Sequence, residues 1–336
     1  MDVGSESGSG PASEPTPGTE LHAEPGTEPQ AGTESASASA SASGTEPHAE
    51  PGTEPSSEPQ AGTEPESGTE PEPGRVTEGE PGPQPRPRSF VAPEPVTPDP
   101  PRLPGRTLMT QSWLDATFLH WAVDPAVVAP LLPPGVVPDV IDGVTYVGLI
   151  AFRMHRIGWG PLPGMPYLGT FPETNVRLYS VDAAGRRGVV FRSLEASRLL
   201  PVATARLFFR LPYRWARMSV HRFGDVYWYA SRRREPGSGS PPPGSLIGVR
   251  VTSPVEAPSP LEHFLTARWR LHFSLGGRTV HMPNAHPRWP LFRAQLLACD
   301  EDLVAAAGLK GIAARPPDSV LFSPGVPVRF GRPASA

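Results

Sequence analysis

Two parts of very different composition divide the 336-residue chain near residue 100. Residues 1–100 contain 20 of the 48 prolines, and 19 acidic residues against three basic ones, which gives a formal charge of −16. Residues 101–336 contain 27 basic and 15 acidic residues, a formal charge of +12, together with all seven Trp and all six Tyr. Without large apolar side chains a segment cannot offset the entropy cost of ordering its backbone. A folded core is therefore expected only in the second part.

The first part is also repetitive, because the tripeptide Gly-Thr-Glu recurs along it. We predict that residues 1–105 form a disordered, acidic tail rich in Pro, Glu, Gly, Ser and Thr, and that residues 106–334 form one domain. The tail has three interpretations. It is a solvating segment, or it competes with anions for the basic domain, or translation begins further downstream, for example at Met109.

Cys299 is the only cysteine of the chain, so no intramolecular disulfide is possible. This fits a reducing compartment, and we expect a cytoplasmic protein. The first residues have neither the basic nor the apolar region of a secretory signal, and no run of about 18 apolar residues predicts a membrane-spanning helix. We therefore expect no membrane partner.

Strand patterns dominate residues 106–334, and helix signals are few. Residues 174–181 and 188–194 alternate on either side of a turn at 183–185 and predict a hairpin. Further strands are predicted, among others, at 144–154, 205–210 and 326–330, and a second hairpin turns at Gly276 and Gly277. Helices are predicted at 124–132, at 259–267 and at 290–307. This order indicates a mainly β (α+β) fold, an antiparallel barrel with a few short helices.

Several sequence blocks together resemble the YqjF-like family of uncharacterised bacterial proteins, over about residues 106–334. The blocks include QSWLD (111–115), FLHW (118–121), FPETNVR (171–177), LPYRWA (211–216) and HPRWPL (286–291). That family is similar to the acetoacetate-decarboxylase-like superfamily. The resemblance implies a cone-shaped antiparallel β-barrel with a central ligand cavity.

Candidate ligand-binding residues lie two apart on one predicted strand. Glu173, Asn175 and Arg177 share a face, and Thr174 and Val176 share the other. A barrel normally turns its more apolar face inward, so the pattern alone leaves open which face lines the interior. The resemblance favours the polar row as cavity residues. Arg177 is then the clamp for a carboxylate or similar anion, with Asn175 beside it, and Glu173 is an acid/base or orients Arg177.

Two further candidates come from neighbouring segments. Glu195 ends the partner strand with Phe191 and Ser193 predicted on its face, so it is a second candidate catalytic carboxylate near Arg177. A structural ion pair is the alternative. Tyr213 is a candidate acid or hydrogen-bond donor to the ligand, with packing against Trp215 as the alternative.

The superfamily resemblance also makes a prediction about imine chemistry. Acetoacetate decarboxylases form a Schiff base through a lysine, and by local likeness that segment falls at residues 212–214, where Arg214 but no lysine is found. The single lysine of the chain, Lys310, lies past the last predicted long helix. Arginine cannot act as the amine nucleophile, so a Schiff-base mechanism is not expected unless Lys310 folds back into the cavity.

Other classes of function lack their sequence signals. No zinc spacing, phosphate loop or nucleic-acid motif is found, so we expect no metal, no cofactor and no nucleic-acid partner. The sequence therefore predicts a cavity for a small, anionic organic molecule, with acid/base catalysis as the candidate activity. The alternative is a non-catalytic interaction or scaffold protein whose acidic tail recruits partners.

Overall fold

The computed structural model describes residues 91–234 and 241–336. Residues 1–90 of the predicted disordered tail lie outside the described residues. Thirteen strands, paired as one sheet, dominate the part of the chain that the structure describes. The strands are β1 (Met109–Val123), β2 (Val136–Pro138), β3 (Thr145–Trp159), β4 (Phe171–Asp182), β5 (Arg187–Ala196), β6 (Tyr213–Phe223), β7 (Val226–Arg233), β8 (Gly244–Pro254), β9 (Arg270–Leu275), β10 (Arg278–Ala285), β11 (Phe292–Glu301), β12 (Ser319–Phe330) and β13 (Ala334–Ser335).

The helices are short, and the side-chain caps of two of them, Asp124 at α1 and Ser259 at α3, follow from the sequence. They are α1 (Pro125–Val128), α2 (Leu199–Phe209), α3 (Pro260–Thr266) and α4 (Leu303–Ala306). At α3 the Ser259 hydroxyl accepts a hydrogen bond from the Glu262 amide, and the Glu262 carboxylate accepts one from the Ser259 amide. This capping box satisfies two amide groups that a helix start otherwise leaves without partners. The helix predicted at 259–267 is confirmed, and the one predicted at 124–132 is formed as α1 followed by a 3-10 turn at Ala129–Leu131.

The sheet closes on itself along two routes. One ring passes through β5, β6, β7, β8, β11, β12, β1, β3 and β4, and returns to β5. The other runs from β5 through β9 and β10 to β12, and then along the same β1, β3 and β4. Strands β12, β1, β3, β4 and β5 are therefore a wall shared by both rings. The mainly β, ring-like fold is as predicted, although β5 pairs in parallel with both β6 and β9.

The shared wall buries both of its faces. One face packs into the main apolar core, to which it contributes Leu119, Val147, Leu149, Val176 and Leu178. The opposite face lines an open cavity in the ring that contains β9 and β10. Because successive side chains of a strand point to opposite faces, each strand of the wall supplies alternate residues to the filled ring and to the hollow ring.

Two secondary-structure predictions are wrong. Residues 292–301 form strand β11 and not a helix, because their apolar side chains at Phe292, Ala294 and Leu296 pack into the core with a period of two, while β11 fills the place between β8 and β12. Residues 205–210 were expected to be a strand. They belong mainly to helix α2, which connects β5 to the parallel strand β6.

Ordered contacts begin before the predicted domain boundary at residue 106. The amides of Val91 and Glu94 donate hydrogen bonds to carbonyls in the β4–β5 turn, and the Trp269 indole donates one to the Thr97 carbonyl. The Glu94 carboxylate pairs with Arg270. Residues 91–99 therefore dock on the domain that the sequence placed after them.

Helix length bears on the predicted absence of a membrane span. Within residues 91–234 and 241–336, none of the helices is long and apolar enough to cross a bilayer.

Gly188 permits the close approach of β9 to β5, and this contact is testable. A Cβ at Gly188 would lie 2.8 Å from the His272 ring and 2.9 Å from the Arg270 carbonyl oxygen. We expect Gly188→Ala to lower the free energy of unfolding by about 1–3 kcal/mol in urea titrations, because overpacking must be relieved by moving the backbone. Gly148→Ala is the comparison, since its nearest atoms lie at 3.2 Å and belong to side chains. A Gly188→Ala protein as stable as the unsubstituted protein would contradict this account.

Candidate functional site

A cavity of about 220 Å³ opens in the ring that contains β9 and β10. Its wall is largely apolar and rich in rings. The aromatic lining residues are Trp113, Phe118, Phe152, Trp159, Phe171, Phe191, Phe209, Tyr213, Trp289 and Phe330. A small set of polar side chains interrupts this surface: Gln111, Glu173, Asn175, Arg177, Thr204, Thr266, Arg268, Asn284 and His286. An apolar enclosure with few polar groups is the usual form of a small-molecule site.

Strand β4 supplies the polar row that the sequence singled out. Glu173, Asn175 and Arg177 all line the cavity, whereas Val176 and Leu178, on the other face, pack into the main core. The pattern left open which face of β4 points inward. Both faces do, because one lies against the main core and the other lines the cavity. The Asn175 side-chain oxygen is buried and has no hydrogen-bond partner among the described residues.

Glu173 is a buried carboxyl group, 3% exposed. The Tyr213 hydroxyl donates a hydrogen bond to Glu173 Oε2 at 3.1 Å. Burial in this apolar surrounding raises the pKa of Glu173 to about 8, although hydrogen bonds from Tyr213 and Asn175 act in the opposite direction. At neutral pH the group is therefore mainly protonated, and it can donate a proton as well as accept one.

Arg177 is fixed by neutral partners. Its Nη2 donates to the Leu265 carbonyl at 2.8 Å and to the Tyr179 hydroxyl at 3.0 Å, and its Nε donates to the same hydroxyl at 3.2 Å. The guanidinium carbon also lies 5.7 Å from the centre of the Phe118 ring. Among the described residues, no carboxylate forms an ion pair with Arg177. Its charge is thus oriented by the protein but not neutralised by it.

Arg268 is a second arginine in the cavity wall, and it was not among the candidates predicted from the sequence. Its side chain is almost fully buried. Nε donates to the Phe264 carbonyl at 2.6 Å, and Nη1 pairs with Asp139 Oδ2. The other oxygen of Asp139 pairs with Arg187. Arg268 belongs to the part of the sequence that resembles the YqjF-like family and follows the capped helix α3 directly, but neither signal marked it as a site residue.

Two histidines near the cavity are neutral. The His120 ring lies 6.5 Å from the ring of the lining residue Phe118, with Nε2 2.7 Å from the Tyr179 hydroxyl, and burial holds its pKa well below the usual value. His286 lines the cavity, and burial lowers its pKa to about 4. Neither residue therefore adds a positive charge near pH 7. Neither was among the site residues predicted from the sequence.

Glu195 is not where the sequence pattern placed it. A β-bulge leaves Arg192 unpaired: Phe191 pairs with Arg177, and the next pair joins Ser193 to Val176. Phe191 consequently lines the cavity, while Ser193 and Glu195 turn to the other face. There Glu195 is buried, accepts hydrogen bonds from Ser193 and pairs with Arg233 Nη2 at 2.7 Å. The expected pair of carboxylates beside one arginine is therefore not formed in the cavity.

Lys310, the only lysine of the chain, is exposed and is not among the cavity-lining residues. The described ranges also contain no cluster of three or more His, Cys, Asp or Glu side chains arranged to hold a metal ion.

Residues 110–327 match the family model DUF2071, described as "Uncharacterized conserved protein". The chain belongs to this family. A curated relative, the uncharacterized protein YqjF of Bacillus subtilis (strain 168), is 31% identical over 196 residues, which cover 57% of this chain and 78% of YqjF. The family resemblance drawn from the sequence blocks is confirmed.

Solved structures of similar fold include the acetoacetate decarboxylase from Legionella pneumophila subsp. pneumophila str. Philadelphia 1. It aligns with a TM-score of 0.50 and 14% identity, over 74% of this chain and 98% of that protein. An acetoacetate decarboxylase-like enzyme from Sphingomonas wittichii RW1 aligns with a TM-score of 0.48 and 14% identity, over 69% and 94%. At 14% identity the likeness to the Legionella protein concerns the fold, and it confirms the predicted fold class.

The protonation of Glu173 gives a testable dependence of stability on pH. In the unfolded chain the carboxyl ionises near the ordinary glutamate pKa of 4.5, and in the folded protein only near 8. Between these values the folded state binds more protons, so Glu173 makes the protein less stable as the pH rises through this window. At about 1.4 kcal/mol for each unit by which the two pKa values differ, the full effect is on the order of 5 kcal/mol.

We therefore expect the stability of Glu173→Gln relative to the unsubstituted protein to increase from pH 5 to pH 8 and then to level off. Thermal and urea unfolding at a series of pH values measure this difference. Glu256→Gln makes the same change at an exposed glutamate and should show no such trend. Parallel curves for Glu173→Gln and Glu256→Gln would mean that Glu173 is already ionised at neutral pH.

Proposed function

We propose that this protein binds a small organic acid in the cavity, with the ligand carboxylate on Arg177 and its apolar body against the aromatic wall. The observation that carries the proposal is the Arg177 guanidinium, which is held in a largely apolar enclosure by a hydroxyl and a carbonyl without an acidic partner among the described residues. A cation in such surroundings has lost hydration, and an anionic ligand restores a favourable interaction.

The lining supports a ligand that is mostly apolar outside its carboxylate. Trp113 stacks on Trp289 with ring centres 5.9 Å apart, and Phe118 meets Trp289 edge to face at 5.1 Å. Such a rigid aromatic surface provides contact area with little loss of side-chain entropy. The cavity volume of about 220 Å³ suits an acid with an aryl or medium alkyl group.

Glu173 is the group that we propose for acid/base chemistry on the bound ligand. It stands four residues from Arg177 on the same face of β4, so about 13 Å separates their Cα atoms. A carboxylate at Arg177 thus leaves the other part of the ligand near Glu173. The protonated Glu173 gives its proton to the ligand or, once ionised, takes one from it, while Tyr213 stabilises the carboxylate by its hydrogen bond.

Removal of Arg177 tests the binding proposal. Thermal-shift measurements at pH 7 compare each carboxylate with its neutral amide: benzoate with benzamide, 4-phenylbutyrate with 4-phenylbutyramide, and octanoate with octanamide. We expect carboxylates, and not the amides, to raise the melting temperature. The shift should be lost in Arg177→Ala, because at least about 2 kcal/mol of charge-assisted hydrogen bonding disappears.

Arg329→Ala is the matched control, since Arg329 is exposed on β12 and lies outside the cavity. It should retain the response to carboxylates. Equal shifts for the amides, or an Arg177→Ala protein that responds like the unsubstituted one, would rule out the carboxylate clamp.

The pKa of Glu173 gives a second test of the shared cavity. As the pH rises through about 8, Glu173 acquires a negative charge that repels a bound carboxylate. We expect the Kd of 4-phenylbutyrate to increase up to about tenfold between pH 6.5 and 9.5, which corresponds to about 1.4 kcal/mol. In Glu173→Gln the Kd should not change over this range. Calorimetric titrations measure both, and an unchanged Kd in the unsubstituted protein would separate Glu173 from the ligand site.

A further inference from the structure

We infer that Arg268 is a second anion-binding residue of the cavity and that the ligand is a dicarboxylate attached to an apolar body. This inference rests on the proposed function, since it assumes that Arg177 holds a first carboxylate. Arg268 comes from a different part of the chain, the segment between α3 and β9.

Arg268 lines the cavity, and one of its guanidinium nitrogens has no hydrogen-bond partner among the described residues. The residue is 4% exposed and belongs to the lining. Nε and Nη1 are engaged by Phe264 and Asp139, whereas Nη2 is buried without a hydrogen-bond partner among the described residues. An unsatisfied donor of a buried guanidinium costs free energy, and a ligand oxygen at Nη2 removes that cost.

The charges around the cavity do not balance. Asp139 is shared by Arg187 and Arg268, so one negative charge serves two guanidinium groups. Glu94 pairs with Arg270. Among the described residues, the single charge of Asp139 therefore offsets Arg268 only in part, and no carboxylate forms an ion pair with Arg177. A ligand with two negative charges provides the complement.

The two guanidinium groups are held separately. Arg177 is fixed on the Leu265 carbonyl and at the hydroxyl of Tyr179. Arg268 is fixed on the Phe264 carbonyl, and its guanidinium carbon lies 4.7 Å from the centre of the Tyr179 ring. Both residues line the cavity, and each is anchored on a different backbone carbonyl. Two guanidinium groups with separate anchors fit two carboxylates better than one.

A matched pair of probes tests this inference on the full chain. 4-Phenylbutyrate carries one carboxylate, and 2-benzylsuccinate carries a second one on the same carbon skeleton. Calorimetric titration at pH 7 should give a Kd for 2-benzylsuccinate at least tenfold below that of 4-phenylbutyrate. In Arg268→Met this preference should fall below twofold, while the Kd of 4-phenylbutyrate changes less than threefold.

Controls separate a structural effect from a binding effect. Arg268→Met leaves Asp139 its pair with Arg187, and Arg268→Lys keeps a cation beside Asp139 but lacks the second terminal nitrogen. Both variants should lose the preference for 2-benzylsuccinate, and Arg329→Ala should keep it. If Arg268→Met fails to fold, the Arg268→Lys result decides.

The outcomes distinguish the two proposals. If 4-phenylbutyrate binds through Arg177 and 2-benzylsuccinate binds no more tightly, the role of Arg268 is overturned and the carboxylate site stands. A preference that persists in Arg268→Lys also overturns that role. If neither probe binds, both proposals fail.

Discussion

Backbone pairing along both edges of β4 determines how the remainder of the molecule is organised. The strand is bonded to β3 on one side and to β5 on the other, within a wall that belongs to two rings. Both faces are therefore buried, and the two-residue period sorts side chains between a filled interior and a hollow one. Val176 and Leu178 are placed in the core by the same alternation that places Glu173 and Arg177 in the cavity.

This double burial explains which parts of the site could be predicted. The spacing of Glu173, Asn175 and Arg177 is local, so the sequence alone shows that they share a face. The spacing does not show whether this face points inward, since that depends on the surrounding fold. An ordinary one-layer barrel would turn the apolar residues inward. The resemblance to a family with a central cavity supplied that choice, and the closure of the second ring through β9 and β10 gives its physical reason.

Some residues were placed wrongly or missed by the sequence analysis because their positions depend on features that the alternation of polar and apolar residues does not show. The expected position of Glu195 was wrong because one unpaired residue, Arg192, reverses the faces of β5. Arg268 was missed because its partner Asp139 is 129 positions away in sequence. The helix predicted at residues 290–307 was wrong over residues 292–301 because a short apolar pattern fits both periods, and only the gap between β8 and β12 selects the strand.

The buried ion pairs extend from the cavity wall to the surface of the domain. Arg268 contacts Asp139, Asp139 contacts Arg187, and the Arg187 backbone amide donates to Glu94 at 3.0 Å. Buried charges of this kind are costly unless each is paired, so the segment 91–99 helps to satisfy groups that reach inward to the cavity. The docking of that segment and the position of Arg268 are thus parts of one network.

The chemistry that this cavity can support depends on the charge of the Arg177 guanidinium and of the Glu173 carboxyl group. A guanidinium stays charged when buried, whereas a carboxyl group without an ion pair takes up a proton. Arg177 therefore remains available to an anion, and Glu173 does not compete with that anion as an internal counter-ion at neutral pH. Arginine cannot form an imine, and the only lysine is exposed. The cavity of this ring-like fold therefore contains groups suited to anion binding and proton transfer, Arg177 and Glu173, and not to imine formation. An ionised Glu173 would instead repel the bound anion, so the apolar wall that keeps it protonated is itself part of the proposed site.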